Sequence, residues 1–243
     1  MADPLPAQTD QPRPNLLRLG LAHVIQALVV FSLLGGALFL SAGRLDWPEA
    51  WIILAVYFAI ALAAGLWMLR YDPKLLKERD QAVLKTNVKT WDRVMIAANL
   101  LLTFGLFAVI GLDGGRFGWS TVPLAARILG GTVMLFSFGI TLWAASVNTY
   151  LSAMVRIQSE RGHQAVTAGP YRYVRHPMYL GMCLLDIGLP LLFGSWWGLT
   201  ASGVMIAALM IRTVLEDKTL QRELPGYADY ARQVRYRLWP GVW

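Results

Sequence analysis

The chain has 243 residues, of which 56% are hydrophobic and only 15% charged, and it carries a formal charge of +7 with Trp at ten positions. A soluble domain holds about 25% charged residues. Here long uncharged apolar runs make up the deficit, which excludes an ordinary soluble domain and points to an integral membrane protein. The single cysteine, Cys183, excludes an intrachain disulfide, and its apolar surroundings suit a packing role.

Residues 1–15 are rich in Pro and polar side chains and read as a disordered tail. The apolar run 20–42 is about 23 residues long, too long for the roughly 7–15-residue core of a signal peptide. It therefore reads as an anchor that stays. The runs 48–69, 94–112 and 122–150 follow. A spanning helix needs roughly 20 apolar residues, with about 17 as the lower limit, and these four runs qualify. The last two, 177–192 and 198–215, are short. They are joined by "FGSWW" and read as a tight hairpin with its Trp pair at the interface. The predicted fold is thus all-α, a polytopic transmembrane helical bundle of about six spans with the last two a short hairpin. Gly35, Gly36, Gly130, Gly131 and Gly139 lie within spans and suit close helix packing.

Lys and Arg set the expected orientation. Arg13 and Arg18 precede the first span. Arg70, Lys74, Lys77, Arg79, Lys85, Lys89 and Arg93 follow the second. Arg156, Arg161, Arg172 and Arg175 follow the fourth, and Arg212 through Arg237 close the chain. The other side holds only Arg44, Arg116 and Arg127. This alternation places both termini in the cytoplasm. The positive charge is then mostly a topology signal, and nucleic acid is not an expected partner. The bilayer is.

Two polar regions fall on the cytoplasmic side, residues 148–181 and 212–243. In "GPYRYVRHPMYLG", Pro177 suits the first turn of a helix. Arg175 and His176 then sit at a helix N-terminus, where free N–H groups favour an anion. Gly181 would let a ligand approach the backbone, and Tyr171, Tyr173 and Tyr179 offer flat surfaces. This suits a pocket for a ligand with a flat ring and a carboxylate. An interfacial belt of aromatic and basic residues accounts for the same composition. Further on, Arg212 and Glu216 share a helix face. Arg212 near the end of an apolar span needs a partner or water, and Glu216 with Asp217 forms an acidic pair. A snorkelling Arg beside a solvated acidic turn fits equally. Asp186 lies inside the fifth span, where an acid is rare; a packing role with a polar partner is the alternative. "PGY" at Pro225–Tyr227 ends the helix, and Tyr230, Tyr236 and Trp239 are candidate interface or lid residues. There is no Gly-rich phosphate loop, CxxC or HExxH pattern. The three histidines, His23, His163 and His176, are spread along the chain, so no metal site is expected.

The stretches "NTYLSAMVRIQSERGHQAVTAGPYRYVRHPMYLG" and "RTVLEDKTLQRELPGYADYARQVRYRLWPGVW" resemble the isoprenylcysteine carboxyl methyltransferase and phospholipid methyltransferase superfamily of integral membrane enzymes. The resemblance runs from residue 148 onward and centres on the RHPxYxG block. The family's paired Glu-Glu reads here Glu216-Asp217. The resemblance implies a cytoplasmic pocket for S-adenosylmethionine formed by Tyr171, Arg175, His176, Pro177, Tyr179, Gly181, Glu216 and Asp217. It divides the chain into a tail (1–15), a transmembrane scaffold (16–147) and a methyltransferase core (148–243). A lipophilic methyl acceptor, an isoprenylcysteine-type carboxylate by resemblance, would be oriented by Arg212 or Arg172. A thiol or amine would need Glu216 or His176 as base. Asn148 and Tyr150 are expected at the acceptor's entry, between the fourth and fifth spans. Two rival readings are an NADPH-dependent membrane reductase of the steroid-reductase type and a non-enzymatic membrane protein.

Overall fold

The computed structural model describes residues 15–80 and 88–243. The expected disordered tail lies outside the described residues except for Asn15, as do Arg13 and Lys85. The elements are α1 (Leu16–Ala42), α2 (Pro48–Tyr71), α3 (Pro73–Asp80), α4 (Thr90–Ile110) with a π-helical extension (Gly111–Phe117), α5 (Leu124–Val147), α6 (Pro177–Phe193), α7 (Trp196–Glu223) and α8 (Tyr227–Gln233). Two single-turn 3₁₀ segments, Ser159–Arg161 and Gly169–Arg172, lie between α5 and α6. No strand occurs among the described residues.

The ends of the helices follow from local chemistry. The Asn15 side chain accepts from the Arg18 N–H at 3.1 Å and caps α1. Gly43, at φ 68°, supplies the left-handed stop. Pro48 opens α2 and Pro177 opens α6, where the missing N–H costs no helical bond. Gly194 ends α6 at φ 79°, and the Ser195 hydroxyl, 2.8 Å from the Gly198 N–H, starts α7 at once.

The helices α1, α2, α4 with its extension, α5 and α7 are each long and apolar enough to cross a membrane, and α6 is a shorter apolar helix. Seventeen residues of α6 give about 25 Å at 1.5 Å per residue. That is slightly less than the ~30 Å hydrocarbon core. It still runs from one end of the bundle to the other: Met178 meets Arg79 of α3, and Phe193 meets Trp47 ahead of α2, with ring centroids 5.9 Å apart. The hairpin of α6 and α7 is therefore present with a tight turn. Its second arm is longer than the apolar run 198–215, because α7 continues as a charged helix to Glu223. Its 28 residues span about 42 Å, so the turns carrying Arg212, Glu216 and Asp217 extend toward one end of the bundle.

The main core joins Leu38, Leu54, Ile110, Met134, Leu189 and Met205 from α1, α2 and α4 to α7. A close seam lies between α5 and α6. A Cβ on Gly188 would sit 2.7 Å from the Gly130 carbonyl oxygen, and one on Gly130 would sit 2.6 Å from the Leu192 amide nitrogen. Only glycine permits that backbone approach. The Ser137 hydroxyl donates to the Gly181 carbonyl at 2.7 Å in the same seam. The seam is thus closed from the Gly130–Gly188 contact to the Ser137–Gly181 bond.

Candidate active site

A narrow cleft of about 780 Å³, mouth included, lies at the end of the bundle where α6 begins and α7 ends. One wall is the irregular chain from Asn148 to Val166. The second is the Gly169–Arg172 turn with the first turn of α6, and the third runs from Glu216 to Tyr230. Gly169, at φ 58°, turns the chain into the Gly169–Arg172 segment, and Pro177 keeps His176 out of the helical conformation ahead of α6.

The buried centre of this region is Asp217, which is 0% exposed. Arg175 grips its carboxylate with two parallel bonds of 2.8 Å. Tyr227 O–H donates at 3.1 Å, Gln221 at 2.9 Å and Arg237 Nε at 3.0 Å. His176 Nε2 is 3.4 Å away. Paired guanidinium–carboxylate bonds of this kind are both strong and orienting. Asp217 therefore serves the RHP segment as an anchor. Arg175 also donates to the Val234 carbonyl at 2.8 Å.

Glu216, one residue earlier, points the other way and lines the cleft. It is the single acid in the lining among the described residues, it accepts from the Tyr179 hydroxyl, and no described cation is bridged to it. The Tyr179 ring lies parallel to the His176 imidazole, with centroids 5.7 Å apart and planes at 7°. The Arg212 guanidinium also lies over the Tyr179 ring, 5.2 Å from its centroid.

Arg212 is committed elsewhere. Its Nε donates to Asp92 at 2.8 Å and its Nη2 to the Ala153 carbonyl at 2.9 Å. Asp92 in turn accepts from the Val155 N–H at 2.6 Å. This pair joins α4 to α7 and pins residues 153–155 as cleft wall. Asp92 was not singled out from the sequence, although an acid at the start of an apolar span is a signal that a partner is needed.

Asn148 and Tyr150 both line the cleft. Asn148 Nδ2 donates to the Tyr171 hydroxyl at 2.8 Å, and the Tyr171 carbonyl accepts from Tyr230 O–H at 2.7 Å. Burial pushes the phenols of Tyr171, Tyr227 and Tyr230 well above their ordinary value, so all three are neutral donors at pH 7. Arg156, another lining residue, is held by Glu78 at 2.5 Å and by Glu160 at 2.7 Å.

The structure thus gathers Asn148, Tyr150, Tyr171, Arg175, His176, Tyr179 and Glu216 around one cleft. The remaining predicted residues lie off its surface. Arg172 is exposed and outside the lining. Pro177 shapes the turn into α6. Gly181 belongs to the α5–α6 seam, where a Cβ would meet Thr141 Oγ1 at 2.5 Å. Asp217 lies behind the wall. Tyr230, read from the sequence as an interface or lid residue, lines the cleft, and Tyr227 joins it there through folding; Gln158, fully buried behind the wall, donates to the Tyr150 carbonyl at 2.6 Å.

His163 gives the wall a pH sensitivity. It accepts from the Gln158 N–H at 3.3 Å and packs on Tyr150 at 4.7 Å. Burial first, then Arg156 and Arg161, push its imidazole down to about 4. The unfolded chain takes up this proton near pH 6.5, whereas the folded one refuses it until about pH 4. Its stability contribution is therefore complete above 6.5 and is lost as pH falls toward 4. After screening by solvent, the expected drop in Tm across that window is on the order of 2–4 °C. Melting wild type and His163→Asn in detergent at pH 7 and pH 4.5 checks it: the variant should lose this part of the acid sensitivity, and identical pH profiles would contradict it.

The fold and the cleft define an integral membrane protein, a helical bundle with an aromatic cleft at one end. Comparison with known proteins narrows it. Residues 125–225 match the phospholipid methyltransferase family, within the isoprenylcysteine carboxyl methyltransferase-type group of membrane methyltransferases. The match covers α5 through the end of α7 and includes the RHP block and Glu216. The chain is also similar to the nickel-cobalt-cadmium resistance protein NccN of Alcaligenes xylosoxydans xylosoxydans. Those two are 32% identical over 127 residues, 51% of this chain and 56% of that one. It is similar to the cobalt-zinc-cadmium resistance protein CzcN of Cupriavidus metallidurans, 35% identical over 129 residues, 52% of this chain and 56% of that one. The chain thus spans little more than half the length of these relatives. Among the described residues no group of three or more His, Cys, Asp or Glu is arranged to hold a metal ion.

Proposed function

We propose that the chain is an S-adenosylmethionine-dependent methyltransferase that modifies a lipophilic acceptor held in the bilayer, with residues 16–147 as scaffold and 148–243 as the cofactor-binding core. The observation that carries this reading is the pairing state of the cleft. Arg175 and Arg156 are neutralised by acids, while Glu216 is not. The unbridged Glu216 carboxylate and the aromatic walls fit a donor that carries a sulfonium, an ammonium and a flat base. The N–H groups of Met178 and Tyr179, in the first turn of α6, suit its carboxylate.

The bound donor supplies an electrophilic methyl group, and the protein's part is orientation and proton handling. Glu216 attracts the cationic donor and is held in place by the Tyr179 hydroxyl. Tyr171 and Tyr227 present neutral faces and donors. A carboxylate acceptor needs a free cation to orient it, but Arg212 is committed to Asp92 and Arg172 is exposed outside the cleft. The geometry therefore favours a neutral amine or thiol whose proton passes to Glu216. A reductase using NADPH would need cations free for the nucleotide phosphate, and those in the cleft lining are paired. The family match at residues 125–225 also supports methyl transfer.

Titration of the purified protein in detergent with S-adenosylmethionine and NADPH, side by side, tests the assignment. Binding of S-adenosylmethionine, weakened about tenfold or more by His176→Ala, is expected; binding of NADPH alone would overturn it. We further propose that the cleft faces the cytoplasm, on the strength of the Lys and Arg excess at its end of the bundle. Single cysteines at Leu45 and Arg222, in a Cys183→Ala background, should react with an impermeant reagent from opposite sides of the membrane. Labelling of Arg222→Cys from outside intact cells would reverse the orientation.

A further inference from the structure

Beyond the region of family similarity, which ends at residue 225, the chain returns over the site. Tyr236 and Arg237 carbonyls accept the N–H groups of Arg175 and His176, each at 2.9 Å. Arg175 Nη1 donates to the carbonyls of Val234 and Arg235 at 2.8 and 3.0 Å. Leu238 is fully buried against Tyr179, Cys183 and Leu209. Residues 234–238 therefore lie across the RHP segment and clamp it through its backbone and through the Arg175 side chain at once.

Arg237 closes this clamp from the side chain. Its Nε donates to Asp217 Oδ2 at 3.0 Å, opposite the oxygen that faces His176. Its own orientation is fixed by an N–H bond to the Trp243 carbonyl at 3.0 Å and by the Trp243 ring, 5.3 Å from the guanidinium carbon. Asp217 is thus held between two guanidinium groups, one from the RHP segment and one from the returning tail. Fixing both oxygens fixes the plane of the carboxylate, and that plane sets where Arg175 and His176 stand at the cleft.

We propose that Arg237 is a positioning residue of this active site: acting through Asp217, it holds His176 and the RHP segment in the geometry that receives the methyl donor. The proposal rests on the cofactor reading given above. Arg237 does not line the cleft, so its effect reaches the donor only through Asp217. Loss of its charge should weaken donor binding and leave acceptor recognition at Asn148 and Tyr150 unchanged. Lysine keeps one charged donor for Asp217 and should recover most of the effect.

The test uses the full chain in detergent with S-adenosylhomocysteine as the probe, in wild type, Arg237→Gln and Arg237→Lys. Calorimetry should show about a tenfold or larger rise in Kd for Arg237→Gln, and a return to within about threefold of wild type for Arg237→Lys. With dodecylamine and dodecanethiol as acceptors, the KM for the acceptor should stay constant while the KM for the donor rises. Equal Kd in wild type and Arg237→Gln would overturn the proposal. So would a uniform loss of stability, donor binding and acceptor binding that lysine does not rescue. Amide hydrogen exchange of residues 169–181 gives a readout that needs no cofactor. If wild type fails to bind the probe, the cofactor reading fails. Faster exchange in Arg237→Gln would then still support the clamp, and unchanged exchange would overturn it as well.

Discussion

Glu216→Gln is expected to lower methyl transfer to amines and thiols by about 10²–10⁴-fold, the usual contribution of a positioned proton acceptor. The substitution keeps the shape of the side chain and an oxygen that can accept from Tyr179, so packing at the end of α7 should survive. What it removes is charge. Among the described residues Glu216 is the sole acid in the cleft lining, because Asp217 faces the opposite way and is surrounded by Arg175, Arg237 and Tyr227. No described carboxylate stands beside it to substitute for it. Labelled methyl transfer to dodecylamine, dodecanethiol and dodecanoate, each compared with a short water-soluble analogue, measures the effect. A rate to the amine and thiol within tenfold of wild type would remove Glu216 from the role of base. A large loss confined to dodecanoate would contradict the proton-transfer argument, since that acceptor is already an anion. Donor binding should weaken more modestly, through the lost attraction for a cation.

Asp217→Asn should act on folding rather than on chemistry. The amide cannot neutralise Arg175, whose side chain is only 5% exposed. Removing one partner of a buried ion pair leaves the other charge desolvated, at a cost of about 3–5 kcal/mol. Against the roughly 5–15 kcal/mol stability of a typical folded protein, that is a large fraction. The expected result is a marked loss of monodisperse protein in detergent and a lower Tm, with donor binding abolished in what remains. Thermal melting followed by size exclusion checks it. A variant that melts like wild type but no longer binds the donor would show that Asp217 contacts the donor directly and is not an anchor. The contrast with Glu216→Gln separates two adjacent acids that the sequence presents as a pair.

The sequence by itself determined the class of the molecule. Apolar runs of about 20 residues have one stable solution in lipid, a helix whose backbone groups are all satisfied internally. The runs therefore became α1, α2, α4, α5, α6 and α7 with ends within a few residues of those expected, except that α7 continues as a charged helix to Glu223. Pro177 and Gly194 marked α6 because each acts locally on the backbone. The RHPxYxG block and Glu216 were legible as a site because polar and aromatic residues are conspicuous beside a bilayer, and the family match at residues 125–225 carries the same stretch.

Partnership was decided only by the tertiary structure. Arg212 could have been a substrate ligand or a snorkelling side chain until α4 brought Asp92, 120 positions earlier, to 2.8 Å from it. Arg175 and Asp217 both read as cofactor contacts until folding joined them to each other across 42 positions. Gly181 read as a place for a ligand, and the structure sets it against Thr141 of α5. In each case the residue's chemistry was visible in the sequence, but the choice of partner depends on which helices pack together. Helix packing is set by the summed shape of whole faces, such as the Gly130–Gly188 contact, and no short stretch of sequence contains that sum.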